Sequence, residues 1–442
     1  MGVEIQQDMA IIRFQEILKK KTISRKDDST DWVEFSEFLP LLQKQYPLVF
    51  QTLGCKVIND YGILLKWKGK NPELQPVVLM AHYDVVPVEG QNWTYPPFDA
   101  EIHDGNIYAR GAVDTKCIIG AILEAIEALI KEDFIPERDI YFTSSNCEET
   151  GGDTTPKVVE WFKGQGIKPW FVLDEGGAIL EKMPMGINNP FAMIGVSEKG
   201  LANIKVTTFS KAGHSSTPSE NDSTIKLMRV LDKIHKSSFK AEISPALQEM
   251  LRCFSKYVSG GMKFVFNNVG SFSGVIKKVM AKNPETSAMI KTTAALTQLE
   301  GSDAINVLPE RASAGFSVRI APQDSINSVV EHFKKVVGHE ALVTFIDGQE
   351  PSLISSHNTK SFNLIKDTVS KVYPGVDSAP YIMNAATDSR HFTEICSEIY
   401  RFGGFVFSEE QRASIHSADE FMPMSSYLKG IDFYVELLSS IN

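Results

Sequence analysis

Three apolar runs that each end in acidic or histidine side chains constrain this chain more than any other feature of its sequence. The runs at 77–81, 139–143 and 170–173 are typical of buried strands. In an open α/β sheet the carboxyl ends of the strands line the ligand crevice, so the side chains that follow these runs should meet there. Imidazole and carboxylate groups suit a hydrolytic metal ion, with one carboxylate left over as a base. The side chains concerned are His82, Asp84, Glu148, Glu149, Asp174 and Glu175.

Charge, hydropathy and cysteine usage narrow the class of protein. The net charge of -10 and the lack of any run of Lys and Arg argue against a nucleic-acid partner. No apolar stretch of about 20 residues is present, and the N-terminus is acidic and polar, so we expect no membrane partner and no secretory signal. Five cysteines without CxxC spacing indicate free thiols in a reducing compartment, so we expect a cytoplasmic protein.

The pattern along the chain predicts one domain inserted into another. Strand and helix signals alternate over 1–197, which favours a doubly wound α/β layer. Residues 198–350 carry half-exposed strands, at 201–208 and 312–320 among others, and amphipathic helices, which indicate a smaller α+β domain. The α/β pattern returns over 351–442. We interpret a long segment at 239–299, with helical stretches and many Lys and Met, as an addition to the inserted domain.

Taken singly, each candidate side chain also has a plain structural interpretation. His82 and Asp84 form an H-x-D pair, in which the acid can hydrogen-bond the imidazole and fix its tautomer, but a lone H-x-D is a weak signal. Asp114 precedes an Ala-rich helix and can be an ordinary N-cap. The acids at 148–149 can be a solvated pair, and His416 can be a surface loop histidine. Only their occurrence together, in one order along the chain, favours the functional interpretation over the structural one.

The motifs HxD, RGxxDxK, EExGG, DEGG, GHSS, TDSR and IHS, in that order, resemble the carboxypeptidase S/aminoacylase family of dizinc metallopeptidases. Acetylornithine deacetylase and succinyl-diaminopimelate desuccinylase belong to the same family. The resemblance covers nearly the whole chain, and the segment from 283 to 310 is most similar to the carboxypeptidase S branch. It implies an α/β zinc-dependent exopeptidase-type catalytic domain with an inserted smaller α+β lid or dimerisation domain. Thr115 departs from the pattern, since many relatives have Asp there.

The resemblance also implies roles for the motif residues. Glu148 would be the general base that takes a proton from water and passes it to the leaving amine. Two Zn²⁺ ions per subunit would be bound, although Co²⁺ or Mn²⁺ can use the same ligands. The peptide bond between Asp114 and Thr115 is expected to be cis. The implied ligands are His82, Asp114 and Asp174 for one ion, and Asp114, Glu149 and His416 for the other, with Asp114 bridging.

Further residues are implied by the resemblance to contact the substrate. His214 would help to stabilise the oxyanion, often from a partner subunit in relatives. A homodimer is therefore one expectation, with the strands at 201–208 and 312–320 as edges that could pair between subunits. Asn306, Arg319 and Arg390 match positions that contact substrate carboxylates, and arginine suits bidentate capture of a carboxylate. Each arginine can instead be a structural ion-pair partner. Cys147 stands beside the predicted base, but no base is implied for its thiol, so we interpret it as a small packed residue.

The resemblance implies a hydrolase that cleaves an amide bond next to a free α-carboxylate. Expected substrates are short peptides cut at the C-terminal residue, or N-acyl amino acids. A dipeptidase is the nearest alternative. A non-catalytic metal-dependent binding protein is disfavoured because it would not need Glu148. A cysteine hydrolase that uses Cys147 would be sensitive to thiol reagents but not to chelators.

Overall fold

The chain is built on two main sheets, described in a computed structural model over residues 3–27, 29–183 and 187–441. Within those residues the helices are α1 (Gln7–Leu18), α2 (Trp32–Gln45), α3 (Pro47–Thr52), α4 (Lys116–Lys131), α5 (Thr154–Gly164), α6 (Ser223–Lys236), α7 (Pro245–Phe254), α8 (Gly260–Asn267), α9 (Val269–Met280), α10 (Pro284–Ala288), α11 (Ile326–Val337), α12 (Lys360–Val372), α13 (Glu409–Ser414) and α14 (Met424–Ser440). The strands are β1 (Gly54–Ile58), β2 (Gly62–Trp67), β3 (Val77–His82), β4 (Glu101–His103), β5 (Asn106–Tyr108), β6 (Ile140–Ser145), β7 (Phe171–Asp174), β8 (Ile179–Leu180), β9 (Phe191–Glu198), β10 (Gly200–Phe209), β11 (Gly213–His214), β12 (Thr293–Glu300), β13 (Val307–Leu308), β14 (Arg311–Ile320), β15 (Leu342–Gln349), β16 (Asp377–Met383), β17 (Ile399–Arg401), β18 (Val406–Phe407) and β19 (Phe421–Pro423). None of these helices combines the length and the apolar character needed to cross a bilayer.

The larger sheet has ten strands among the described residues, in the order β1-β2-β6-β3-β7-β17-β9-β8-β18, with β16 paired to β9. At its centre β3 runs parallel to both β6 and β7. Val77 and Leu79 pack into the cluster on one face with α4, whereas Val78 and Met80 pack on the other face with α5. Helices therefore cover both faces, which explains the continuous apolar runs in the sequence and confirms the predicted α/β fold.

The smaller sheet is antiparallel and has the order β12-β14-β10-β15. Helices α6 and α11 cover one of its faces, where alternate residues of β10 and β14 form a second apolar cluster. All four strands lie between Gly200 and Gln349, inside the range predicted for the insert. The boundaries at 198 and 350 stay predictions.

The two chain crossings between the sheets lie side by side. The Ser197 hydroxyl donates a hydrogen bond to the Ser352 carbonyl at 2.9 Å, and the backbone N–H of Glu198 donates one to the Ser352 hydroxyl at 2.8 Å. At Gly200 a Cβ would lie 2.6 Å from the carbonyl oxygen of Gln349, so the close approach of the two crossings requires glycine there. The smaller domain is thus joined to the larger one by a pair of adjacent, hydrogen-bonded connections.

The long segment at 239–299 does not behave as the sequence pattern suggested. Helices α7, α8 and α9 pack through Phe254, Phe266 and Ile276, respectively, into a cluster with Phe191 and Met193 of strand β9. The helices of this segment therefore cover the larger sheet rather than the insert. Its last part forms β12, a strand of the smaller sheet that the helical interpretation missed.

The strands at the edges of the smaller sheet are not the two that the sequence predicted to be edges. The strands expected at 201–208 and 312–320 are present as β10 and β14, but they are the two central strands. The edges are β12 and β15, whose residues are mostly exposed. Burial alternates in the same way along a central and an edge strand with one covered face, so the sequence pattern alone could not separate the two cases.

Candidate metal centre and active site

The predicted site residues meet because three parallel strands end side by side. Strand β3 ends at His82, strand β6 ends three residues before Glu148, and strand β7 ends one residue before Glu175. Since β3 lies between β6 and β7, their carboxyl ends form one continuous edge. Asp114 approaches this edge from the loop before α4, and its peptide bond to Thr115 is cis, as expected.

The side chains at this edge form two groups that share one carboxylate. The Nε2 atom of His82 lies 3.0 Å from Oδ1 of Asp114 and 3.3 Å from Oε1 of Glu175. Nε2 of His416 lies 3.0 Å from the other oxygen of Asp114, Oδ2, and 3.2 Å from Oε1 of Glu149. Within each group the nearest ligand atoms are all within 4.8 Å of one another. Two imidazoles, two terminal carboxylates and a shared one form a donor set that fits two adjacent divalent cations.

Glu175, the neighbour of the predicted ligand Asp174, is the acid that the structure places beside His82 in the first group. Asp174 does not belong to either group, because Oδ1 of its carboxylate accepts from the backbone N–H of Glu175 at 2.9 Å and Oδ2 accepts from that of Ser389 at 2.9 Å. Asp174 is the last residue of β7, and its side chain is held by the backbone of the 387–390 loop. Glu175 follows the strand and reaches His82. Two adjacent acids at a strand end look alike in the sequence, and only the direction of each side chain separates them.

Asp84 organises the centre from behind. Its carboxylate is fully buried and accepts hydrogen bonds from the backbone N–H groups of Glu148 and Glu149, both at 3.1 Å, and from the Ser24 hydroxyl at 2.6 Å. The Nδ1 atom of His82 lies 2.9 Å from the Asp84 carbonyl oxygen. A ring that donates from Nδ1 presents the Nε2 lone pair to the acids. Asp84 therefore fixes the tautomer of His82 and the position of both glutamates.

The electrostatics of the site show an excess of buried negative charge. Burial, opposed by His82 and reinforced by Glu175, raises the pKa of Glu148 well above its usual range. Burial likewise raises the pKa of Glu175 to about 8. Hydrogen bonds to Asp114 and Glu149 raise the pKa of His416 to about 10. Closely spaced carboxylates that hold protons this firmly are suited to neutralisation by divalent cations.

A buried glutamate that sequence reasoning did not single out holds the loop of Asp114. Oε1 of Glu420 accepts from the backbone N–H groups of Val113 at 2.8 Å and Asp114 at 3.1 Å. Its Oε2 accepts from the backbone of Gly111 at 3.1 Å and from the Arg110 guanidinium at 2.7 Å. The only sequence signal was its place four residues after His416, which a surface acid could share.

Arg110 extends this support to the other group. Its guanidinium donates to Oε1 of Gln91 at 2.8 Å, and the Gln91 amide donates to the carbonyl of His416 at 2.8 Å. The side chains of Arg110 and Glu420 are both almost completely buried. One ion pair therefore positions the shared carboxylate, Asp114, and the histidine of the second group.

A cleft of about 630 Å³ opens from the acids and histidines. Glu148, Glu149 and Glu175 line its polar end, and Arg319 and Arg412 also line it. The remaining wall is rich in methionine and aromatic side chains, among them Met193, Met250, Phe254, Met289, Met383 and Phe407. The cleft thus joins a charged centre to an apolar compartment.

Three other predicted residues lie outside the cleft lining. Arg390 donates from Nε to the Thr387 carbonyl at 2.9 Å. Its Nη2 lies 3.3 Å from Oε2 of the buried Glu198, as expected for a structural ion-pair partner. His214 is exposed, and its Nδ1 lies 2.8 Å from the hydroxyl of Ser216. Asn306 is next to it, since its carbonyl accepts from the backbone of Ser215 at 3.2 Å. His214 and Asn306 would reach the cleft only by a domain movement or from a second subunit.

Cys147 has the environment of a packed residue. Its sulfur lies 3.3 Å from the Thr154 hydroxyl, and a Cβ on Gly152 would lie 2.3 Å from it. Burial raises the pKa of the Cys147 thiol, which disfavours the nucleophilic thiolate.

Comparisons with known proteins agree with this geometry. Residues 78–440 match the profile of peptidase family M20/M25/M40. The chain is 33% identical over 416 residues to the probable carboxypeptidase S-like 2 of Dictyostelium discoideum, which covers 92% of this chain and 79% of that protein. It is 31% identical over 428 residues to the N-fatty-acyl-amino acid synthase/hydrolase PM20D1 of Homo sapiens, covering 94% and 84% of the two chains.

Solved structures share the fold at lower identity. The M20 family metallo-carboxypeptidase Sso-CP2 of Sulfolobus solfataricus superposes with a TM-score of 0.70 at 19% identity, covering 97% of this chain and 98% of that one. Human carnosine dipeptidase 1 superposes with a TM-score of 0.64 at 16% identity, covering 98% and 97%.

Proposed function

The chain belongs to peptidase family M20/M25/M40 and is a hydrolase of the carboxypeptidase S-like branch, and on that premise we propose that it cleaves N-acyl amino acids with an apolar acyl group. The observation that carries the proposal is the cleft that joins the charged centre to a methionine-rich wall. An N-acyl amino acid has matching halves, a carboxylate next to the amide and an apolar chain on its other side. The relatives named N-fatty-acyl-amino acid synthase/hydrolase support this choice.

Two zinc ions per subunit are the proposed cofactors. His82, Asp114 and Glu175 would hold one, and Asp114, Glu149 and His416 the other, as the shared position of Asp114 suggests. Co²⁺ or Mn²⁺ can occupy the same donors. When bound, such ions polarise a carbonyl and lower the pKa of a water molecule.

Glu148 is the proposed general base and acid. It lines the cleft, belongs to neither ligand group, and is held by its backbone bond to Asp84. A carboxylate in that position can remove the proton from the attacking water and deliver it to the leaving nitrogen. Its burial favours the protonated form, which helps the second transfer.

Arg319 is the proposed partner of the substrate carboxylate. It projects from β14 of the smaller domain into the cleft, and the described residues place no acid within ion-pair distance of its guanidinium. A free guanidinium can bind a carboxylate through two parallel hydrogen bonds. Arg412, on α13 beside His416, adds positive charge at the same cleft.

A dipeptidase is the second candidate, and one observation favours it. Glu285 lines the cleft from α10, where a carboxylate could pair with the free amine of a dipeptide. The fold is shared with human carnosine dipeptidase 1. In an N-acyl substrate no such amine is present, so Glu285 would be left without a substrate partner.

The test compares kcat/KM for N-acetyl, N-octanoyl and N-oleoyl derivatives of one amino acid with that for matched dipeptides, using zinc-loaded enzyme. We expect kcat/KM to rise with acyl length and chelator to abolish activity. Met289→Gln, in the cleft, should lower kcat/KM for the long-chain substrates only, whereas Met228→Gln, exposed on α6, is the matched control. Preference for dipeptides over every N-acyl substrate would overturn the proposal in favour of the second candidate.

Location and assembly remain part of this proposal. A cytoplasmic location is supported by the five cysteines, which are all free. A homodimer is supported by the exposed edge strands β12 and β15, since an open edge can pair with another chain. Sedimentation equilibrium of the full chain tests the assembly, and a monomer at all concentrations would exclude the homodimer.

A further inference from the structure

We propose that helices α8 and α9 form a docking surface for an anionic lipid bilayer. This surface, called here the α8–α9 surface, consists of the outward side chains of residues 260–282. The expectation of no membrane partner rested on the lack of a segment that could span a bilayer, and a peripheral contact needs no such segment. It is independent of the proposed catalytic activity.

The first argument is charge. Residues 250–284 contain no acidic side chain, although the whole chain has a net charge of -10. Lys256 pairs with Asp377 at 2.9 Å, but four lysines of the segment form no ion pair with any described residue. These are Lys263, Lys277, Lys278 and Lys282. A cluster of unpaired lysines on an acidic protein marks a local attraction to negatively charged surfaces.

The second argument is apolar exposure within the same segment. Met262 and Phe264 on α8 are 48% and 61% exposed, and Val275 and Val279 on α9 are 55% and 62% exposed. Hydrophobic side chains that are exposed singly are common in proteins. Here four of them lie within 18 residues of one another, in the same segment as the unpaired lysines. The ring of Phe264 on α8 also packs against that of Phe272 on α9, with 5.6 Å between the centroids.

The third argument is the pattern along α9. Val275, Lys278 and Val279 follow the spacing of three and four residues that places side chains on one helix face, and Lys282 follows two residues after the helix ends. On the other side of α9, Ile276 and other residues are buried in the cluster against the larger sheet. The outward face is therefore mixed apolar and basic. Helices that lie in the plane of a membrane interface have this composition, because lysines contact the headgroups while apolar side chains enter the acyl boundary.

A second copy of this chain fits the α8–α9 surface less well than an anionic bilayer does. An isologous contact would place the same lysines opposite one another, since both subunits use the same patch. The described surface offers no acidic residue between 250 and 284 to offset that repulsion. An anionic bilayer satisfies both the lysines and the apolar side chains.

Helices α8 and α9 share one apolar cluster with the wall of the cleft. The inward residues Phe266 and Ile276 belong to the same cluster as Met250 and Phe254, which line the cleft wall. A bilayer bound here would bring lipid-soluble molecules close to the apolar compartment. Only this consequence rests on the proposed function, because it assumes an acyl substrate.

The test is flotation of the full chain with vesicles of phosphatidylcholine, with and without phosphatidylserine. We expect binding only to the vesicles that contain phosphatidylserine, and weaker binding at high salt because the attraction is screened. Lys278→Ala/Lys282→Ala should weaken binding by about 5-fold per lysine. Val275→Ser/Val279→Ser should also weaken it. Lys334→Ala/Lys335→Ala, on α11 of the smaller domain, is the matched control and should bind as the parent does.

Folding and self-association are measured on the same variants. All should keep the parent thermal unfolding curve, because the substituted side chains are at the surface. Lack of binding to any vesicle, or equal binding by the parent and both variants, would overturn the proposal. Concentration-dependent dimerisation that is lost in Val275→Ser/Val279→Ser would assign the surface to a second copy instead. Binding is measured without substrate, so failure of the proposed catalytic function would not affect this result.

Discussion

The backbone N–H of Asp114 donates a hydrogen bond to the carboxylate of Glu420 at 3.1 Å, although 306 positions separate the two residues. Glu420 is fully buried and also pairs with Arg110. The carboxylate shared by both ligand groups is thus positioned by a residue from the same C-terminal segment that supplies His416. This contact couples the two halves of the catalytic domain across the insert.

Glu420→Gln should weaken metal binding while leaving the direct ligands in place. The amide keeps the shape of the carboxylate, but it loses the charge that pairs with Arg110 and one of the two acceptor oxygens. Loss of such supporting contacts typically lowers metal affinity or activity about 10–100-fold. Metal titration against a competing chelator measures the effect. Glu410→Gln, an exposed glutamate of α13, is the control, and equal affinities for both variants would show that Glu420 does not support the centre.

Glu148→Gln should retain both metals and lose most of kcat. The side chain is not in either ligand group, so ground-state binding of the ions should survive. Proton transfer by a positioned residue is worth about 10²–10⁴-fold, and the amide cannot perform it. Steady-state kinetics together with metal analysis of the loaded variant check the prediction. A Glu148→Gln enzyme with parental kcat would mean that another group acts as the base.

Substitutions at 174 and 175 should separate the two adjacent acids. Glu175→Gln should lower the metal content, because Glu175 contacts His82 in the first ligand group. Asp174→Asn should retain metal, since its carboxylate accepts from the backbone of Ser389 instead. It should lower the thermal stability, because the amide has one acceptor oxygen in place of two. Metal loss in Asp174→Asn with normal binding in Glu175→Gln would show that Asp174 is the ligand, as the sequence analysis expected.

The sequence was sufficient for the parts of the fold and site that follow local rules. Runs such as 77–81 are apolar throughout because both faces of β3 are covered, and this also placed His82 at a strand end. The sequence was insufficient where the direction of a side chain or long-range packing determines the structure. The choice between Asp174 and Glu175 depends on side-chain direction, and the role of Glu420 depends on a contact between distant segments. The segment 239–299 has the helical pattern of any amphipathic element, and that pattern does not specify which domain it covers.

Lys199 should make stability depend on pH in the alkaline range. This buried lysine, at the crossing between the domains, donates to the Lys291 carbonyl at 2.9 Å. Burial, with a contribution from nearby Arg319, lowers its pKa from 10.5 to about 8. The unfolded chain therefore binds this proton more tightly than the folded one, so the group opposes folding below pH 8 and the penalty is relieved as pH rises from 8 to 10.5.

Lys199→Met removes that titration. We expect the variant to be more stable than the parent at pH 7, with an upper limit of roughly 3 kcal/mol from the pKa difference, reduced by about 1 kcal/mol for the lost hydrogen bond. The advantage should shrink between pH 8 and 10. Urea unfolding of both proteins at each pH measures it, and Lys211→Met, on the exposed surface of the same domain, is the control. A difference that does not change with pH would contradict the assigned pKa.

His214→Ala should lower kcat with unchanged metal content, although the residue is exposed and does not line the cleft. The resemblance assigns it to the oxyanion, where loss of one donor costs roughly 10²–10³-fold. That role requires either closure of the smaller domain within one chain or presentation of its loop by a partner subunit. If the site is shared, a mixture of His214→Ala and Glu148→Gln should regain part of the activity through mixed dimers, each with one intact site. No regain, despite demonstrated subunit exchange, would indicate closure within one chain, and parental kcat in His214→Ala alone would remove the residue from the reaction.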